Sequence, residues 1–369
     1  MEHIKLPQNE KVNIQAFANM LDLKNLKNSY KLYWFYAIFE EIKHGNKEMI
    51  FKKLVYRMIA KSWYSLIEFK LNLGVNDQLN KTVIHLQEKY NFEKNINEEK
   101  LIEKLGEIKD KELDSLITEF FKYVPYRLLS PFYKELIGLK DSEKNKIIVE
   151  LSNIGNNGIY KIIESEKRLE INENWYSYIF ENQAIIEGWL INKLIFFLQT
   201  RNPNVPAIPF KIFATKERNL NNAKKYWKKI IELNDIKDIY TGKRLTIEES
   251  ISIDHFIPWS FVLHDELWNL IPTIQSINSS KNDRLPLLDK FLESYCDLQY
   301  LGLKTALKHN FCQKELEDYF TISRNIDLKK EISKEYFVKN LKDTINPIYQ
   351  IAQNQGFIIW EGSFIKDLK

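Results

Sequence analysis

The segment Tyr240–Pro286, YTGKRLTIEESISIDHFIPWSFVLHDELWNLIPTIQSINSSKNDRLP, constrains this chain more than any other, because polar residues interrupt its apolar runs in a fixed order. Ile251, Ile253, Phe256 and Ile257 surround Asp254-His255 and run into Pro258, so the spacing predicts a short strand that ends where the pair stands. Asn269 heads a second apolar run, Leu270-Ile271-Pro272. Gln275 through Asn282 holds neither glycine nor proline and suits a short helix, on which Asn278 and Lys281, three residues apart, share a face. The expected local fold is strand, loop, strand, helix.

In this order, Asp254, His255, Asn269, Asn278 and Lys281 closely resemble the HNH (ββα-metal) endonuclease motif. The pattern is most similar to the HNH domains of RNA-guided CRISPR nucleases, where asparagine fills the third position. An Asp-His pair alone carries no such meaning, and a lone histidine beside an apolar strand more often serves packing. The order, the spacing and the apolar frame together carry the resemblance.

The residue chemistry fits the phosphodiester hydrolysis that the resemblance implies. That reaction needs an attacking water, a base, and positive charge around the phosphate. His255 is the expected base, since a histidine with an ordinary pKa of about 6.5 is largely neutral near pH 7. Asp254 and Asn278 offer hard oxygen ligands suited to Mg2+ or Mn2+. By resemblance, Asn269 would hold the loop that orients His255, and Lys281 would sit near the phosphate as a point charge. Many HNH proteins also brace this core with zinc on two Cys-x-x-Cys pairs. Here those four places hold Asp238, Thr241, Ile274 and Ile277, so no structural zinc is expected, and apolar packing by Trp259, Phe261, Trp268 and Ile274 is expected in its stead.

With 369 residues, 44% of them hydrophobic, the chain can bury a large core and is long enough for two or three domains. Its two cysteines, Cys296 and Cys312, form no disulfide or zinc pattern and fit a reducing cytoplasm. The opening MEHIKLPQNEK lacks an apolar signal stretch. Gly188–Leu198 is too short to span a bilayer and is interrupted by Asn192 and Lys193, so a cytoplasmic protein with no membrane role is expected.

Net charge is only +4, so its distribution matters more than its sum. Between Lys211 and Ile230, seven basic residues, Lys211, Lys216, Arg218, Lys224, Lys225, Lys228 and Lys229, stand against Glu217 alone. KKYWKKII has the spacing of a helix with one buried and one lysine-rich face. Lys224, Lys225, Lys228 and Lys229 are therefore expected to track a DNA backbone, the plainer alternative being a solvated basic face.

The first two hundred residues read mainly as helices. Ser29 is placed to cap one that carries Tyr30, Trp34, Ala37, Ile38 and Ile42 and stops at Gly45. Others are expected at 47–73, 76–90, 98–122 and 177–200, with a hairpin from 158–163 and 168–171. RNPNVPAIPF, Arg201–Phe210, is the expected boundary, because its prolines oppose helix and central strand alike. Beyond Pro286, helices are expected at 287–308, 314–320 and 335–355, then an extended Phe357–Trp360.

The expected fold is mainly α: a helical N-terminal region (1–205), a small ββα-metal nuclease core (206–286), and a helical C-terminal region packing on it (287–369). The expected function is metal-dependent DNA cleavage, by analogy as a bacterial anti-phage effector. The N-terminal region would serve substrate selection, regulation, or docking of a protein partner or a second copy. The competing readings are a catalytically silent DNA-binding or assembly module, or a nuclease of a mobile element or repair system.

Overall fold

The structure, a computed structural model, describes residues 4–213, 218–247, 251–323, 326, 328 and 331–362. Helices dominate, and among the described residues strands form only small sheets. The chain divides into two compact units, residues 1–203 with 208–214, and residues 204–207 with 215–369. No helix among the described residues is long and apolar enough to cross a membrane.

The first unit is built around the helix Tyr30–Lys43, which is buried along most of its length. Its aromatic centre includes Phe17, whose ring stacks on Trp175 at 5.2 Å and on Trp189 at 5.3 Å. Ser29 does stand at the start of the helix, but its hydroxyl caps nothing; its backbone N–H donates to Asp77 Oδ2 at 2.8 Å. The expected hairpin is present as β2 (Tyr160–Ile163) and β3 (Arg168–Ile171).

Residues expected to open the next helix form a strand instead, β1 (Glu48–Ile50), antiparallel to β3. The open edge of the hairpin takes them: Ile171 N–H donates to the Lys47 carbonyl and Phe51 N–H to the Lys167 carbonyl, both at 2.8 Å. The helix then runs Phe51–Trp63 and ends in a π turn, Tyr64–Glu68. The stretch 98–122 is two helices, Glu98–Glu107 and Lys111–Phe121, divided where Asp110 caps the second by accepting from Glu112 N–H at 2.8 Å. The stretch 177–200 likewise divides, into Glu173–Glu181 and Gln183–Arg201, and a helix at Asp141–Ile154 joins those anticipated.

The second unit holds β4 (Ile251–His255) and β5 (Leu270–Ile274), antiparallel, followed by the short helix Gln275–Lys281. One hydrophobic core joins this motif to the helices Asn221–Leu233, Leu288–His309 and Lys334–Asn354. Close approach is possible at Gly302, where an added Cβ would lie 2.7 Å from the Tyr226 hydroxyl and 3.1 Å from the Trp227 ring. Two short parallel strands, β6 (Leu285–Pro286) and β7 (Ile359–Trp360), close the unit, and β7 is the expected extended segment. Trp360 stacks on Phe291 and meets Tyr240 edge-on at 5.1 Å.

Candidate active site

The β4–β5 register sets Asp254 opposite Ile271 and His255 opposite Leu270, so the pair stands at the end of the ladder. Immediately beyond, fully buried Asn269 clamps the chain leaving β4. Its carbonyl accepts from Phe256 N–H at 2.8 Å, its Oδ1 accepts from Ile257 N–H at 2.8 Å, and its Nδ2 donates to the Ile257 carbonyl at 2.9 Å. An asparagine satisfies both a donor and an acceptor of one peptide segment, which an apolar residue cannot do. The helix Leu288–His309 holds the same corner: Gln299 Nε2 donates to the Leu267 and Leu270 carbonyls at 3.1 and 2.8 Å, and the Tyr295 hydroxyl donates to the Trp268 carbonyl.

Asn278 and Lys281 do share a face of their helix, and both reach β4. Asn278 Nδ2 donates to Ser252 Oγ at 2.6 Å and to the Ile253 carbonyl at 3.1 Å, which leaves its Oδ1 as an acceptor. Lys281 Nζ donates to Asp254 Oδ1 at 3.0 Å and to the His255 carbonyl at 2.7 Å. Lys281 therefore does not stand toward solvent as the point charge expected beside a phosphate. Its side chain is 0% exposed and that of Asp254 2%, and a carboxylate so deeply buried needs a countercharge. Asp254 Oδ2 accepts from the Tyr240 hydroxyl at 2.6 Å. Burial, then the charge of Asp254, hold this phenol well above its ordinary range, so it remains a donor.

The imidazole of His255 is nearly buried, and its Nε2 lies 2.8 Å from Asp265 Oδ1. Asp265 belongs to the loop between the strands, with His264 and Glu266 on either side. Burial lowers the His264 ring below the usual histidine range.

The four places where a zinc brace would stand are occupied differently from the purely apolar packing expected. Buried Asp238 is a hydrogen-bond hub: its Oδ1 accepts from the N–H groups of Tyr240 (2.7 Å) and Thr241 (3.0 Å), and its Oδ2 from Thr273 Oγ1 (2.6 Å) and Ile274 N–H (3.1 Å). One carboxylate thus ties the turn, in which Gly242 has φ +72°, to the end of β5. Of the apolar residues expected to build the core, Phe261 and Trp268 are buried, as is Ile277. Trp259 and Ile274 lie at its margin, Trp259 under the Arg218 guanidinium at 4.7 Å.

The basic helix Asn221–Leu233 buries Tyr226, Trp227 and Ile230 and exposes Lys224, Lys225, Lys228 and Lys229. The Trp227 indole donates to the Leu270 carbonyl at 3.0 Å, anchoring the helix on the residue paired with His255. Lys211 is not part of this face: it belongs to the first unit, is fully buried, and burial pushes its ammonium down to about 7. Lys216 and Glu217 lie outside the described residues.

The fold brings Asp254, His255, Asn269, Asn278 and Lys281 together, and adds Tyr240 and Asp265, to which sequence reasoning assigned no role. Their only signal was position, Tyr240 opening the motif and Asp265 inside the polar triplet His264-Asp265-Glu266 of the inter-strand loop. Among the described residues, no group of three or more His, Cys, Asp or Glu side chains is placed to hold a metal ion. Of the expected ligand pair, Asp254 has both oxygens engaged, by Lys281 and Tyr240, while Asn278 keeps its Oδ1 as an acceptor; a carboxylate and an amide oxygen are of the donor type that a hard divalent cation takes, with water and phosphate completing its shell.

A family model described as HNH endonuclease matches residues 238–287, from the Asp238 hub to just past β6. No curated protein and no solved structure matches the chain. HNH nucleases generally use divalent metal ions. The ββα geometry and the family match identify residues 238–287 of this chain as a domain of the HNH endonuclease superfamily.

Proposed function

We propose that this protein is a metal-dependent endonuclease that hydrolyses DNA phosphodiester bonds, with His255 as general base. The observation that carries the reading is the imidazole fixed at the end of β4, next in sequence to the Asp254 carboxylate, with Asn278 held by its helix against the same strand. With Nε2 engaged by Asp265, Nδ1 is the nitrogen that takes a proton from water as the water oxygen attacks phosphorus and the P–O bond to the leaving oxygen breaks. Asp254 and Asn278 would hold the divalent cation, which when bound supplies positive charge to the phosphate oxygens. Lys281 balances and orients Asp254, and Asn269 keeps His255 at the end of the strand.

Plasmid cleavage across a Mg2+ or Mn2+ series tests this. Asn278→Ala and Asp254→Asn are each expected to move the activation curve to higher metal concentration, on the order of tenfold or more, or to remove activity. An unchanged curve for both would remove these residues as ligands. A wild type that binds DNA and never cuts it would turn the reading to a silent binding module.

The exposed lysines supply affinity without sequence preference, because ammonium groups on one helix face meet phosphates rather than base edges. Changing Lys224, Lys225, Lys228 and Lys229 together to glutamine should weaken binding equally for unrelated duplexes. Each lost contact should also flatten the slope of log affinity against log salt by about 0.9. Identical salt slopes for variant and wild type would mean the four only solvate the helix. The first unit, which carries no recognisable catalytic pattern, would serve substrate selection, regulation or docking, and by analogy alone the setting is bacterial defence against foreign DNA.

A further inference from the structure

We infer that Asp265 is the positioning residue for His255: it holds the proton on Nε2 and so presets Nδ1 as the proton acceptor, an inference that rests on the nuclease reading above. A neutral imidazole carries one N–H and one lone pair, and an ionised carboxylate only accepts. At 2.8 Å from Asp265 Oδ1, Nε2 must therefore be the nitrogen that bears hydrogen. Without that partner the ring could exchange tautomers and turn about its χ2 axis, and the base would be in place only part of the time.

Asp265 is suited to this and is occupied by nothing else that the structure resolves. Its side chain is 32% exposed, yet among the described residues it pairs with no lysine or arginine, and His255 is its one hydrogen-bond partner. The loop that carries it is fastened on both sides. Before it, Leu263 takes φ +57°, a region that disfavours leucine, and its N–H donates to the Trp259 carbonyl at 2.7 Å. After it, Leu267 N–H donates to Asp318 Oδ2 at 2.9 Å, and Glu266 accepts from the Trp268 indole and from Thr321 Oγ1. A carboxylate on so anchored a loop can set the direction of a ring, as one on a free loop could not.

The direct test is histidine 15N NMR on the full chain at a pH where the rings are neutral, with the His255 signals identified by their loss in His255→Gln. The wild type should show His255 protonated at Nε2, and Asp265→Asn should shift it toward the Nδ1-protonated form or a mixture. In plasmid cleavage, Asp265→Asn should lower kcat by about 10²- to 10⁴-fold with KM and DNA affinity unchanged, and Asp265→Glu should restore part of the loss. A wild-type ring protonated at Nδ1, or an unchanged kcat in Asp265→Asn, overturns the inference. The wild-type spectrum needs no variant to fold. Should the wild type cut no DNA, the nuclease reading fails by itself, while the tautomer still decides whether Asp265 sets the ring.

Discussion

With His255 as the proposed general base, His255→Ala is expected to lower the cleavage rate by roughly 10²- to 10⁴-fold, to or below detection in a plasmid assay, because the substitution takes away an interaction made in the transition state. DNA affinity and fold should stay near wild type. The β4–β5 ladder runs through backbone groups, the Asn269 clamp acts on residues 256 and 257, and the Asp265 carboxylate left behind is partly solvated. Rates, DNA affinity and thermal unfolding measured side by side would separate these effects. A variant as active as the wild type would mean that His255 is a packing residue and that the chemistry lies elsewhere.

Lys281→Met should be the most destabilising single change in the motif. Methionine fits the same unbranched space, but in protein kept free of divalent metal the substitution leaves the Asp254 carboxylate at 2% exposure with the Tyr240 hydroxyl as its remaining partner and no countercharge. Breaking a buried pair from one side costs about 3–5 kcal/mol, far more than the pair contributes over an apolar replacement of both members. Adding Asp254→Asn to that background should recover part of the loss, since no buried charge then remains. Urea unfolding midpoints for the two single variants and the double variant would show the non-additivity directly. A Lys281→Met midpoint equal to that of the wild type would mean the carboxylate is solvated, and that Lys281 is free for the phosphate role that the resemblance implied.

The site was legible in the sequence where its determinants are local. A strand running into a proline, an asparagine before an apolar run, and a helical interval of three residues are short-range features, and the structure sets His255, Asn269, Asn278 and Lys281 on the elements they predict. The difference at Lys281 arises because a sequence shows that a residue is charged, not whether its charge ends in solvent or beside a buried carboxylate. Asp265 and Tyr240 were illegible as partners for a related reason. Asp265 lies ten positions from His255 and Tyr240 fourteen from Asp254, and no periodicity governs where a side chain outside the regular elements points. In the first unit, helix existence was readable, yet residues 48–50 became a strand because an open hairpin edge, brought near only by folding, offered them a ladder.

What the sequence by itself determined is the ββα order, the chemical types at its tip, the basic face of the preceding helix and the predominance of helix elsewhere. These follow from side-chain periodicity and backbone propensity, which act over a few residues. Tertiary structure alone decided how the charges are used: Lys281 against Asp254, Asp238 as the hub between turn and β5, Lys211 buried in the other unit, and Asp265 on the ring of His255. The physical reason is that the worth of a charge depends on its dielectric surroundings and its partner, and both exist only once distant segments have been packed together.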